Sequence, residues 1–174
     1  LSPQKDITIR TRLMSSKGVQ LIGEHRAIGS NGGLEIRGSV ISDTKTSTVR
    51  SHFDGSGEYI AKPGVRVGFN STVTSDDTYM DDFFEENHSF LSSAGYIEKA
   101  TKDTYLALSS TWYQDIRDGK DPENTLQPLP RLQAEKVFNI GGIGSNLTLS
   151  ADVLSLHRSE GTRSRRLITQ ADLN

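Results

Sequence analysis

Between Asp76 and Glu86 the chain carries six carboxylates, Asp76, Asp77, Asp81, Asp82, Glu85 and Glu86, interleaved with Tyr79, Phe83 and Phe84. Carboxylates at this density could hold a hard cation such as calcium. The register argues against it: the acids come in adjacent pairs and no Gly stands at the sixth position, where an EF-hand loop turns. The stretch reads instead as a surface loop packed by its own aromatic residues, with no metal. The histidines His25, His52, His88 and His157 are scattered, and no two share a zinc-ligand spacing. There is no Cys, which excludes disulfides and thiolate metal sites within this chain. No Ser-His-Asp set, P-loop or dinucleotide fingerprint occurs. The sequence therefore predicts no enzyme and no cofactor.

A second set of chemically capable residues is Arg10, Arg12, Glu24, Arg26, Glu35, Arg37 and Arg66. Each falls on the polar side of an alternating stretch. Lining a wet lumen, they would meet polar solutes. On any solvated wall they would form cross-strand ion pairs, each of small value. Both readings need strands to position them, and the strands are legible.

Val65 to Ser75 is the clearest. Val65, Val67, Phe69 and Val73 fall on one side, and Arg66, Gly68, Asn70, Thr72 and Thr74 on the other. A period of two marks a strand with one apolar and one polar face. Similar stretches cover Asp6–Met14, Val19–Ile28 (where Ile22 and His25 break the pattern), Leu34–Ser42, Phe90–Glu98, Tyr105–Ile116, Leu129–Phe138, Leu147–His157 and Leu167–Leu173. Ser47–Ile60 is weaker, and Gly55-Ser56-Gly57 is expected to kink it. Pro128 and Pro130 fit only the beginning or the edge of a strand. Gly29-Ser30-Asn31-Gly32-Gly33 is a strong hairpin signal.

The prediction is an all-β fold: an antiparallel sheet of about ten long strands with nearly no helix. Strands of roughly ten residues are long for globular domains and match a tilted bilayer crossing. The two longest links, Ser75–Ser89 and Arg117–Gln127, follow odd-numbered strands, and the links after even-numbered strands are short. Short turns at one end and long charged loops at the other characterise outer-membrane barrels. The expected fold is thus part of a transmembrane β-barrel.

Composition fits. Only 33% of the 174 residues are hydrophobic, and no run of 18 apolar residues offers a transmembrane helix. A barrel strand hides its apolar half in alternation. The net charge of -2 and pI near 6.1 give no case for nucleic acid. The chain starts at Leu1, not Met, and reads as a piece of something longer, one partial barrel region over residues 1–174.

Three segments carry a resemblance. Pro3-x-x-Asp6-Ile7-Thr8-Ile9-x-x-Arg12-Leu13-Met14-Ser15-x-Lys17-Gly18-Val19-x-Leu21-x-x-Glu24-His25-Arg26 resembles the start of the barrel region in the LptD family, also called OstA or Imp. Ser75-Asp76-Asp77-Thr78-Tyr79-Met80-Asp81-Asp82-Phe83 is similar to a Ser-Asp-x-x-Tyr-Phe-x-Asp-Phe segment of that family, and Glu160-Gly161-Thr162-x-x-Arg165-Arg166-Leu167 to a later one. The family's Pro after Thr in the first segment is absent, as are cysteines that pair in some members.

The resemblance implies transport without bond chemistry, in the Gram-negative cell outer membrane. Lipopolysaccharide would pass into the outer leaflet, its sugars along the polar lumen and its acyl chains toward outer-membrane lipid. It implies as partners the lipoprotein LptE as a plug, and LptA through an N-terminal domain outside this chain. Arg10, Arg12, Glu24, Arg26, Glu35, Arg37 and Arg66 would line the path. Asp76, Asp77, Tyr79, Asp81, Asp82 and Phe83 would lie in an extracellular loop. The rival is a soluble β-sandwich that binds carbohydrate or protein, whose apolar face would be buried on a second sheet.

Overall fold

The computed structural model describes residues 4–120, 125–141, 144–158 and 163–173. Ten strands follow one another: β1 (Lys5–Met14), β2 (Gly18–Gly29), β3 (Gly32–Asp43), β4 (Thr48–Lys62), β5 (Val65–Thr74), β6 (Phe90–Ala100), β7 (Thr104–Asp115), β8 (Gln127–Ile140), β9 (Ser145–His157) and β10 (Ser164–Leu173). One short helix, α1 (Tyr79–Phe84), lies between β5 and β6. All ten strands form one sheet in chain order, each antiparallel to the next. This is the up-and-down order of a barrel wall.

Directly opposed residues share a face of the sheet, so the register sorts the side chains. Tyr59, Val67, Ile97, Leu108, Leu132, Val153 and Leu167 stand opposite one another from β4 to β10 and form one apolar belt. On the same face, nearer the other end, Ile9 is in line with Gly23, Gly38, Phe53 and Val73. The opposite face carries rows such as Thr8, Glu24, Arg37, Asp54 and Thr72, and Asp6, Arg26, Glu35, Ser56 and Asn70. The apolar face is largely uncovered among the described residues: Leu13 is 78% exposed, Ile9 70% and Leu167 66%. A sandwich would bury these side chains under a second sheet, and the described strands form only one.

The core is therefore small and lies under α1, one cluster on the polar face and a second where the ends of β6 and β7 meet the helix. Tyr79 and Phe83 pack on Ile41 and Met14, while Met80 packs against Leu91 and Ile116. Arg12 of β1 reaches the same helix that Leu91 of β6 touches. In a flat sheet those strands would stand about 24 Å apart, against a helix about 10–12 Å wide. The sheet thus curls toward its polar face.

Three details depart from the expected pattern. β4 is the longest strand, with 15 residues and a register shift only between Ile60 and Lys62. The expected kink at Gly55-Ser56-Gly57 is absent. Those glycines leave room instead: a Cβ on Gly57 would meet the Phe69 ring at 2.8 Å, and one on Gly55 would meet Phe53 and Ile36 at 3.0 Å. The pattern breaks in β2 are real positions in the ladder. Ile22 stands on the polar face opposite Arg10 and Ser39, and His25 on the apolar face, its Nδ1 2.9 Å from the Asp6 carbonyl.

Two glutamines extend the ladder where strands part. The β5–β6 pairing stops at Ser71 and Ser93. Beyond it the Gln114 amide accepts from Thr74 N–H at 3.1 Å and donates to Thr74 C=O at 2.8 Å. Gln127 does the same for Tyr113 on the far side of β7, at 2.6 and 2.8 Å. Backbone groups that would be orphaned are thereby paired.

Candidate functional site

The acidic loop is seated on the polar face. Three carboxylates from two segments meet one guanidinium. Arg50, its side chain 5% exposed, donates from Nε to Asp76 Oδ2 at 2.9 Å. Its Nη1 donates to Asp43 at 3.1 Å and to Asp82 at 2.8 Å, and its Nη2 to Thr78 Oγ1 at 2.9 Å. Lys17, from the β1–β2 turn, donates to the Asp82 carboxylate at 2.7 Å and to its carbonyl at 3.0 Å. The planar fork of Arg suits this task, because it can satisfy several oxygens at fixed angles.

Burial alone would raise the Asp82 carboxyl. Hydrogen bonds from Lys17 and Arg50 outweigh it and pull the group down to about 2. Asp76 is lowered in the same way: burial opposes ionisation, and hydrogen bonds from Arg50 and Ser75 prevail. The lock is therefore fully ionised at neutral pH.

Under the helix the contacts are polar as well as apolar. Tyr79 is completely buried. Its hydroxyl lies 2.8 Å from Ser39 Oγ and accepts from Gln20 Nε2 at 3.1 Å. His52 stacks on the Tyr79 ring, with centroids 6.2 Å apart. Lys17 and Arg50 sit over the Phe83 ring at 4.6 and 5.0 Å. At the helix end Glu85 turns the chain with φ +58°, and Arg12 donates to the Phe83 carbonyl at 2.7 Å. A cation here satisfies a carbonyl that the helix leaves free. Gln20 Oε1 is buried and has no hydrogen-bond partner among the described residues.

The predicted residues divide accordingly. From the loop, Asp76, Tyr79, Asp82 and Phe83 turn toward the wall, while Asp77 and Asp81 stay exposed. The seated carboxylates face cations of the protein itself. Arg12, predicted among the lumen-lining charges, holds α1. Arg10, Glu24, Arg26, Glu35, Arg37 and Arg66 all share its face, several as cross-strand pairs. Glu24 lies 3.9 Å from Arg10 and 3.5 Å from Arg26, and Arg26 lies 3.0 Å from Asp6. Arg66 donates to Glu98 at 2.7 Å and lies 3.4 Å from Glu58. Arg37 and Glu35 make no ion pair among the described residues.

Sequence reasoning missed Arg50, Asp43, Lys17, Gln20, Ser39 and His52. The signal for two of them was there: Arg50 and His52 alternate with Val49, Ser51 and Phe53. The third resemblance segment falls partly on residues 159–162, outside the described residues.

A curled, single-layer antiparallel sheet, apolar and bare on one face and charged on the other, with a loop folded onto the charged side, is the wall of an outer-membrane-type β-barrel. The chain belongs to the LptD family: the family model described as LptD, LPS transport system D, matches residues 48–174. Over 176 residues it is 26% identical to the LPS-assembly protein LptD of Methylococcus capsulatus, covering 96% of this chain and 17% of that protein. It is 33% identical over 84 residues to the protein of the same name from Cupriavidus necator, which covers 48% of this chain and 10% of the relative. The LPS-assembly protein LptD of Cupriavidus metallidurans is 34% identical over 84 residues, 47% of this chain and 10% of its own. The chain thus spans a small part of these relatives.

Proposed function

We propose that residues 1–174 are part of a single barrel domain that passes lipopolysaccharide into the outer leaflet of the outer membrane. The apolar face meets lipid, the polar face borders the lumen, and α1 stoppers the lumen at the loop end. The single observation that carries this reading is the split of faces: the apolar belt lies bare, and the charges and the plug share the other side. Family membership and the names of the relatives supply the cargo.

The work of this wall is positioning and passage, with no bond made or broken. Arg10, Glu24, Arg26, Glu35, Arg37 and Arg66 keep the path wet, and Arg12 serves it by holding the stopper. The exposed Asp77 and Asp81 face the outside with the loop. LptE as a plug and LptA as the periplasmic bridge are the partners this reading names.

The test is to tether the stopper. In the full-length protein with no other free cysteine, Lys17→Cys and Asp82→Cys are joined by a short bismaleimide. Delivery of newly made lipopolysaccharide to the cell surface should stop in the tethered double variant and continue in each single variant. Undiminished delivery with α1 tethered would contradict a role for its movement.

A further inference from the structure

At the turn end of the polar face lies a cavity of about 550 Å³, well inside the range of roughly 300–1,000 Å³ usual for small-ligand sites. Its floor is made of small residues, Gly33, Ser56 and Ala94. One wall is Tyr96. A Cβ on Gly68 would stand 2.4, 2.5 and 2.7 Å from Tyr96 Oη, Cζ and Cε1. Gly at position 68 leaves the room that the hydroxyl end of Tyr96 occupies over β5, and the Tyr96 side chain lines the cavity.

The ring is fixed in this pose. Tyr96 Oη donates to Glu58 Oε2 at 2.8 Å, and Glu58 is steadied by Arg66 at 3.4 Å. Arg26, Glu35 and Asn70 complete the polar rim. Among these lining residues Arg26 is the cation, against Glu35 and Glu58. Arg26 is already turned to Asp6. With Arg26 paired to Asp6, the lining leaves no free cation for a phosphate. It offers a π face for the C–H side of a pyranose, carboxylates to accept from hydroxyls, and an amide that both donates and accepts.

We propose that this cavity is a subsite for a neutral saccharide unit, stacked on Tyr96 and hydrogen-bonded to Glu58, Glu35 and Asn70. The inference rests on the reading of the polar face as a saccharide conduit. It adds a resting point to that conduit, specific for uncharged sugar.

The test places a photocrosslinking amino acid at Asn70 in the cavity or at Thr8 on the same face outside it, in the full-length protein in cells. Lipopolysaccharide adducts should form at both, with a marked excess at position 70. Tyr96→Ala should reduce the position-70 yield about fivefold, the factor that about 1 kcal/mol of aromatic contact supplies. Tyr96→Phe, which keeps the aromatic face and loses the hydroxyl that fixes it, should lose less of the excess than Tyr96→Ala. If Tyr96→Ala fails to assemble, Tyr96→Leu covers Gly68 without a π face and should lose the excess equally. Equal yields at positions 70 and 8, unmoved by Tyr96→Leu, would overturn the subsite and leave the conduit standing. No adduct at either position would overturn the conduit, and the subsite with it.

Discussion

Arg50 is the residue on which the seated loop most depends. It gathers Asp43, Asp76 and Asp82 and lies over the Phe83 ring. Removing one partner of a buried ion pair typically costs about 3–5 kcal/mol, because the other charge is left stranded. Arg50→Ala should therefore unseat α1 and raise the single-channel conductance of the full-length protein in planar bilayers. Lys45→Ala, close by but exposed, should leave conductance unchanged. The pH dependence has a definite sign. Asp82 is held at about 2, below its ordinary 3.8, so its contribution is complete above that ordinary value. It fades as pH falls from there toward 2. Conductance should stay low from neutral pH down to about pH 4 and rise only below it. Opening at pH 5 to 6 would mean that some other group holds the plug. These residues were hard to read in the sequence because the contacts are distant. Lys17 and Asp82 are 65 residues apart, and Arg50 and Asp76 are 26 apart. No local pattern links a strand arginine to a loop aspartate.

At the scale of the element, strands were legible and the helix was not. A wall between lipid and water forces strict alternation on each strand, so the period of two survives even in a chain this polar. β5 shows it plainly. β4 was harder, since Arg50 and His52 face α1 rather than open lumen, and Gly55 and Gly57 lie beneath neighbouring side chains. α1 has only six residues, Tyr-Met-Asp-Asp-Phe-Phe, too few for a helical period to register. It persists by packing rather than by propensity. The two faces of β5 also make opposite predictions. Val67→Arg, on the lipid side, should cost roughly 2–4 kcal/mol near the midplane and slow refolding into vesicles. Thr72→Arg, on the polar side, should refold close to the wild type. Equal penalties at the two positions would deny the assignment of faces.

For the molecule as a whole, the order of strands and the alternation of loop lengths define two faces and two ends. The links after β5 and β7 leave from one end, and the Ser30-Asn31 and Pro63-Gly64 turns lie at the other. The polar face curls around α1, which belongs to the long-loop end. Ion pairs across that face are spread over β1 to β9. They make it a wetted wall rather than a core, and the resemblance, not the pairing, supplied the cargo. The most direct measurement of this arrangement places a single Cys at Asp81 or at Asn31, both exposed, in a full-length protein with no other free cysteine, and treats intact cells with an impermeant thiol reagent. Labelling is expected at position 81 in intact cells, and at position 31 only after the outer membrane is opened. Labelling of both sites only after lysis would contradict a spanning wall with the acidic loop outside.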